Sequence, residues 1–407
     1  MSGSAETDPG AVTGLLAAIE SIGRDPGSGG YRRFAWTRQD HDLGEWFAAE
    51  CTARGLSVTE DRAGNQWAWW GDPDVAPGRA VVTGSHLDSV PDGGAFDGTL
   101  GVISALLAVD RLRRQGFRPQ RPIGVVRFVD EEGARFGVAC AGSRVITGEL
   151  AADRALGLAD ADGVTLAEAL RAAGRRSEAF GPDPETLGRV GAFVELHVEQ
   201  GKGMIDLGVP VAVGGDIWPH GRWRVDLPGV ADHAGTTALA DRQDAMIGFA
   251  RLVLAARAAA ERHGCLATVG KARIVPGGVN AIPSAVTGWL DARGATEQSV
   301  RSALAEITAA VAGDGGVVAE ESWTPTTRFE PELITRTAAA LGEVPVLGTG
   351  AGHDAGILAR AGVPAVMIFV RNPTGVSHSP AEWAEPDDCA AGVVALATTL
   401  AELAGQP

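Results

Sequence analysis

Cysteine is scarce in this chain of 407 residues: Cys51, Cys140, Cys265 and Cys389 stand far apart, with no Cys-x-x-Cys pair among them. That spacing excludes a cysteine zinc cluster and a readable disulfide framework. The expectation it leaves is a reduced, cytoplasmic protein with ordinary buried thiols. Lysine is scarcer still. Lys202 and Lys271 are the only two, so arginine carries nearly all the positive charge. No run of about 20 apolar residues occurs, which excludes a helical membrane span. Residues 1–10 (MSGSAETDPG) lack the basic-then-apolar pattern of a secretion signal, which again points to the cytoplasm. Basic charge as a whole is in short supply, 35 Lys and Arg against 51 Asp and Glu, for a formal net charge of −16. A domain this acidic repels phosphate backbones, so nucleic acid is not an expected partner. A small anionic substrate stays open, because a few local arginines can reverse the potential inside one pocket.

What is present is ample apolar material, 45% of the chain, and a length that suggests two domains or three. Helical Ala/Leu patterns alternate with short apolar runs. Val125 to Val129 and Ala365 to Val370 read as buried strands ending in polar residues. Such alternation predicts an α/β domain with a largely parallel central sheet, whose chemistry collects at the carboxyl ends of its strands. The texture changes near Val213. Alternation from Trp223 to Leu227 is followed by a helix over Asp244 to Arg262, strands at Ala272–Val275 and Val286–Asp291, and a helix over Ser299 to Val311. That order, β-α-β-β-α, fits a small α+β domain. After Trp323 the α/β texture returns. The expected architecture is therefore a discontinuous α/β domain, 1–212 and 324–407, with an α+β domain of residues 213–323 inserted in it.

Histidine is also rare, eight in all, yet five stand beside glycine, acidic or small polar residues in turn-like contexts. In Gly84-Ser85-His86-Leu87-Asp88 a strand delivers His86, and Asp88 is placed to hold its ring in the metal-binding tautomer. In Gly93-Gly94-Ala95-Phe96-Asp97-Gly98 the glycines let the chain turn and return Asp97 to the strand ends, where a carboxylate can bridge two cations. In Asp130-Glu131-Glu132-Gly133 adjacent carboxylates repel unless a cation neutralises one or one carries a proton. One of them can ligate metal while its neighbour faces water. Glu195-Leu196-His197 and Gly375-Val376-Ser377-His378 each bring a histidine to a strand end. His86, Asp97, Glu132, His197 and His378 together make a donor set for two divalent metals. Imidazole with carboxylate suits zinc first, or manganese, cobalt and nickel, rather than calcium or magnesium.

The strings GSHLDSVPDGGAFDG, DEEGARFG, ELHVEQG, ADHAGTT, GAGHDAG and GVSHSPAEW occur in that order from His86 to Trp383. In them the chain resembles the dinuclear metal amidohydrolases of the aminoacylase and carboxypeptidase clan. It is most similar to the branch of N-carbamoyl-L-amino-acid hydrolases, allantoate amidohydrolases and bacterial β-ureidopropionases. The resemblance implies a metal-binding domain and an inserted lid that also forms a homodimer contact. It implies His86 and His197 on one metal, Glu132 and His378 on the other, Asp97 bridging, and Glu131 as general base. It further implies His233 as oxyanion donor, and Asn280 and Arg293 as holders of a substrate carboxylate. Gln200 is expected to contact substrate or a ligand, and His353, in a loop near the metals, to contact substrate.

Two departures from the family pattern bear on substrate. His220, in Trp218-Pro219-His220-Gly221, stands where a glutamine is usual, and Arg371, in Val370-Arg371-Asn372-Pro373, adds a cation before His378. The resulting expectation is hydrolysis of a ureido or carbamoyl C–N bond on a small carboxylate. The alternatives are removal of an N-formyl or other N-acyl group, and a non-catalytic binding protein on the same scaffold. If Arg371 lacks an anion of its own, a dicarboxylic substrate such as N-carbamoyl- or N-formyl-glutamate is preferred.

Overall fold

The computed structural model describes residues 8–74 and 79–405. The chain divides into two compact units, Met1–Gly215 with Arg328–Pro407, and Asp216–Thr327. These breaks fall a few residues beyond those read from the change in texture, because strands run on through them. The strands are β1 (Ser57–Glu60), β2 (Gln66–Trp70), β3 (Ala80–His86), β4 (Ile123–Phe128), β5 (Val190–Val198) and β6 (Val211–Ile217). There follow β7 (His220–Pro228), β8 (Asp232–His233), β9 (Leu266–Val275), β10 (Ala281–Ile282), β11 (Ala285–Arg293) and β12 (Val317–Thr324). The last three are β13 (Thr327–Arg328), β14 (Val346–Thr349) and β15 (Ala365–Val370).

The large sheet has the order β1-β2-β4-β3-β5-β15-β6-β13, with β14 paired to β6. Its centre is parallel: β4 with β3, β3 with β5, and β5 with β15. Antiparallel partners flank that centre, β2 on β4 and β6 on β15. Strands β3, β4 and β15 are buried along their whole length. That is why they read as continuous apolar runs rather than as alternation. Helices Thr99–Arg114 and Pro386–Ala404 pack together and against the sheet, with Leu100, Ile103, Leu396 and Leu400 in one core with Val81, Val125 and Val366. Register fixes the level of the strand ends. His86 lies opposite Phe128, and Val370 opposite Val198, so four parallel strands present their carboxyl ends along one edge of the sheet.

The second unit carries an antiparallel sheet of order β12-β7-β11-β9. Along β7 Trp223, Val225 and Leu227 are buried, and Arg222, Arg224 and Asp226 alternate with them. The inward residues pack on Leu252 and Ala256 of helix Ala245–His263 and on Val300 and Ile307 of helix Glu297–Ala312. Strand β12 was not expected. It follows the second helix, lies at the sheet edge and is nowhere fully buried, so it shows no clear alternation for a sequence reading to detect.

Gly84, in the middle of β3, has φ 149°, and a Cβ there would overlap the Val126 carbonyl of the neighbouring strand. Gly116, at φ 72°, has open space around it. Gly84→Ala is therefore expected to destabilise the fold by roughly 3 kcal/mol or more, and Gly116→Ala by about 1 kcal/mol. Urea unfolding of the two variants checks this; equal midpoints would show that β3 and β4 have room to separate.

Candidate metal centre and active site

The carboxyl edge of the parallel strands gathers residues that are far apart in the chain. His86 closes β3, His197 is the penultimate residue of β5, and His378 lies in the loop after β15. Asp97 precedes the helix Thr99–Arg114 and stands among these rings. Its Oδ1 is 3.5 Å from His86 Nε2 and 3.2 Å from His197 Nε2, and its Oδ2 is 3.4 Å from His378 Nε2. Glu132, four residues beyond β4, brings Oε2 to 3.7 Å from the same His378 nitrogen. Two donor groups result, His86–Asp97–His197 and Asp97–Glu132–His378, each with its ligand atoms within 4.8 Å of one another. Asp97 belongs to both. Gly98 makes this approach possible: its φ is 61°, a Cβ there would overlap the His86 ring, and its N–H donates to His197 Nε2 at 3.2 Å. His378 also has a left-handed backbone, φ 55°, an uncommon conformation for a residue with a Cβ.

Glu131 lies beside this centre, its Oε2 3.6 Å from His86 Nε2, and its Oε1 accepts from the Cys140 thiol at 3.2 Å. Burial drives its carboxyl well above the ordinary range, and Asp354, Glu132 and Asp88 push the same way. Burial with Asp97 and Asp88 raises Glu132 to about 8. Asp97 goes the other way. Burial opposes its charge, but the imidazoles of His197 and His86 hold it well below the usual carboxylate range. For His86, burial likewise opposes charge, yet Glu131, Asp97 and Asp88 keep the imidazole well above its ordinary value.

Asp88 does something other than the sequence suggested. Asp88 is placed to orient His86 through its main chain, because the ring Nδ1 lies 3.1 Å from the Asp88 carbonyl oxygen and 3.6 Å from the carboxylate. The Asp88 carboxylate instead accepts the backbone N–H groups of Glu131 (3.1 Å) and Glu132 (3.0 Å), which aims the acidic pair. Gln200 donates to Asp97 Oδ2 at 2.9 Å and to Ser377 Oγ at 3.1 Å, so it serves the shared carboxylate. His353 is buried against His197, their rings 4.5 Å apart, and with His197 and Glu195 it forms a further potential donor group.

Arg371 corrects an expectation outright. It is not a cation in search of an anion, because Nε and a terminal nitrogen bind both oxygens of Asp388 at 2.8 and 3.0 Å. Asp388 stands in the first turn of helix Pro386–Ala404, and the case for a dicarboxylic substrate lapses with that pairing.

Glu195, Glu382 and Ser377 were overlooked, although all three sit inside motifs already singled out. Glu195 accepts from Ser85 Oγ and from the Ala355 N–H. Glu382 accepts the N–H groups of Phe96 at 2.9 Å and Asp97 at 3.0 Å, and burial raises it to about 7. An acid four residues after His378 was the available signal.

On the second unit, His233 and Asn280 come together: His233 pairs with Ala281 across β8 and β10, and the Ala234 N–H donates to the Asn280 carbonyl at 2.9 Å. The Gly235 N–H donates to His233 Nδ1 at 3.0 Å, which leaves the neutral ring's proton on Nε2. His220 and Arg293 are register partners on β7 and β11, and Asp291 binds the Arg293 guanidinium at 2.7 and 2.8 Å.

Comparison with known proteins bears on what this arrangement is. The family model for Peptidase family M20/M25/M40 matches residues 82–402. This chain belongs to that family. An N-carbamoyl-L-amino acid amidohydrolase of Geobacillus stearothermophilus is 36% identical over 406 residues, covering 96% of this chain and 97% of that protein. An allantoate amidohydrolase of Escherichia coli K12 is 32% identical, covering 97% and 98%. A crystal structure of a hydantoinase/carbamoylase-family amidase from Burkholderia multivorans superposes with a TM-score of 0.86 at 30% identity, over 99% of this chain and 100% of that one. The family is metal-dependent, and the donor groups of this M20-family chain suit a divalent metal. Among the described residues Glu132 Oε1, Gln200 Oε1 and His353 Nε2 are buried at the centre without a hydrogen-bond partner, as metal-ligating or ligand-facing atoms would be.

Because Asp388 already engages Arg371, Arg371→Ala is expected to cost about 1–2 kcal/mol of stability, with no selective loss on dicarboxylic substrates. Denaturation midpoints, together with kcat/KM on N-carbamoyl-glutamate and N-carbamoyl-methionine, check both halves. A loss confined to the dicarboxylate would reinstate a substrate role for Arg371.

Proposed function

We propose that this M20-family protein is a metal-dependent amidohydrolase that cleaves the C–N bond of a ureido or carbamoyl group on a small carboxylate substrate. Allantoate and N-carbamoyl-L-amino acids are the substrate classes in view, after the activities for which its relatives are named. The observation that carries the reading is Asp97, one carboxylate shared by two donor groups, with the buried Glu131 beside them. We further propose two metal ions, zinc first among the candidates, a homodimer, and a cytoplasmic location. Among the described residues no helix is long and apolar enough to cross a membrane.

His86, His197, Asp97, Glu132 and His378 would hold divalent metal, which would supply Lewis acidity to polarise a carbonyl and lower the pKa of water. Glu131 takes the proton of the attacking water and returns it to the leaving nitrogen as the C–N bond breaks. Its hydrogen bond from Cys140 and the Asp88 clamp on its backbone keep the carboxylate aimed. His233, carrying its proton on Nε2, donates to the oxygen that becomes negative. Asn280 and Arg293 hold the substrate carboxylate, and His220, cross-strand from Arg293, contacts a polar group beside it. Gln200 and Glu382 keep Asp97 in place between the two donor groups.

Glu131→Gln is expected to retain metal and to lose at least about a hundredfold in kcat, the scale of a positioned general base. Near-normal turnover by a metal-loaded E131Q enzyme would remove Glu131 from that role. Elemental analysis separates the shared ligand from the unshared ones: Asp97→Ala should lose all bound metal, His378→Ala only part of it. The activity itself is tested by giving metal-reconstituted enzyme allantoate, N-carbamoyl amino acids, N-formyl-glutamate and a dipeptide in parallel. Turnover of the dipeptide alone would overturn the proposal.

A further inference from the structure

A cavity of about 300 Å³ lies beside the N-terminal helix Pro9–Ala18, on the first unit. Val12, Leu16, Ile19, Phe96 and Trp383 give it apolar walls, and Arg33 is the buried cation among its lining residues. Arg33 as a whole residue is only 2% exposed and makes no ion pair among the described residues. It donates to the carbonyls of Ile22 (3.0 Å) and Ile19 (2.8 Å) and to Thr99 Oγ1 (3.3 Å), and it lies 4.0 Å over the Tyr31 ring. These neutral acceptors take three of its five N–H groups. The Ile19 carbonyl, at the C-cap of the helix, and the Tyr31 ring offset the charge in part, but among the described residues no carboxylate pairs with it. Burial accordingly lowers Arg33 to about 10. Both carboxylates that line the cavity are already engaged. Glu20 pairs with Arg24, and Glu382 accepts from Phe96, Asp97 and Ser377.

A buried charge without a counter-charge is costly, and an apolar chamber around it selects what can compensate it. We infer that this cavity is a binding site for a small apolar monocarboxylate, its carboxylate on Arg33 and its hydrocarbon part against Leu16, Phe96 and Trp383. A volume of about 300 Å³ is at the small end for ligand pockets, so the occupant is a small molecule. An aryl- or branched alkyl-acetate or -propionate has that size. The site is separate from the metal centre, although Phe96 in its wall adjoins Asp97, the carboxylate shared by the two donor groups.

The probe is 3-phenylpropionate, titrated calorimetrically into metal-loaded protein, with 3-phenylpropanamide as the uncharged control. Wild-type protein is expected to bind the acid at least about tenfold more tightly than the amide, the difference expected from a charge-assisted hydrogen bond. Leu16→Trp, which fills the chamber, should weaken binding by about tenfold or more and leave basal kcat/KM unchanged. Arg33→Met should act likewise, and L16W keeps the test decisive if loss of the Arg33 bonds unfolds the helix. Arg293→Ala should leave this binding intact. Binding that vanishes in R293A and survives in L16W would put the probe in the substrate site and overturn the inference, as would equal affinity for acid and amide or no heat of binding. None of the binding readouts depends on which C–N bond the enzyme cleaves.

Discussion

The active end of this protein depends on one carboxylate held between two sets of imidazoles. Asp97 can face His86 and His197 with one oxygen and His378 with the other only if its loop returns tightly to the strand ends. The returning chain is held in three ways. Gly98 fits against the His86 ring, Glu382 grips the Phe96 and Asp97 amides, and Gln200 binds the outer oxygen. The level of the parallel strands then does the rest, since His86 and His197 approach Asp97 because β3 and β5 end together. A rigid sheet is a suitable base for such a centre, because donor positions set by strand register vary less than positions set by loops.

Around that carboxylate the molecule concentrates more negative charge than its own imidazoles balance. Asp88, Glu131, Glu132, Asp354 and Glu382 are all raised above their ordinary values, chiefly by burial. A fold selected for stability alone would not collect buried acids in this way, since desolvating each one costs free energy. Divalent metal among the donors would relieve that cost, which would link metal binding to the integrity of this edge of the sheet. The same environment keeps the Glu131 carboxylate out of bulk water and near the imidazole of His86.

Much of this was legible in the chain. Histidines in glycine-rich and acidic turns after apolar runs are unusual for core residues, and the spacing of six motifs narrowed the chemistry further. The parallel sheet could be read because its strands are buried on both faces and therefore uniformly apolar. Strand β12 could not, since an edge strand with partly exposed faces carries neither a uniform nor an alternating pattern. Glu195 and Glu382 lay inside recognised motifs and were passed over, because an acid beside a ligand looks the same in sequence whether it faces solvent or grips a backbone.

The sequence by itself determined the donor types, the turns that expose them and the acidic excess they sit in, because these are local properties of residue chemistry and spacing. Only the tertiary structure decided which group serves which. Asp388 neutralises Arg371 from a helix 17 residues further on, and Glu382 holds Asp97 across 285 residues of chain. Asp88 turns its carboxylate to the Glu131 and Glu132 amides while its carbonyl oxygen meets His86. Hydrogen bonds and ion pairs are short-ranged and directional, so a charge's partner is whichever group the packing of strands and helices brings within about 3 Å. No pattern along the chain encodes that choice.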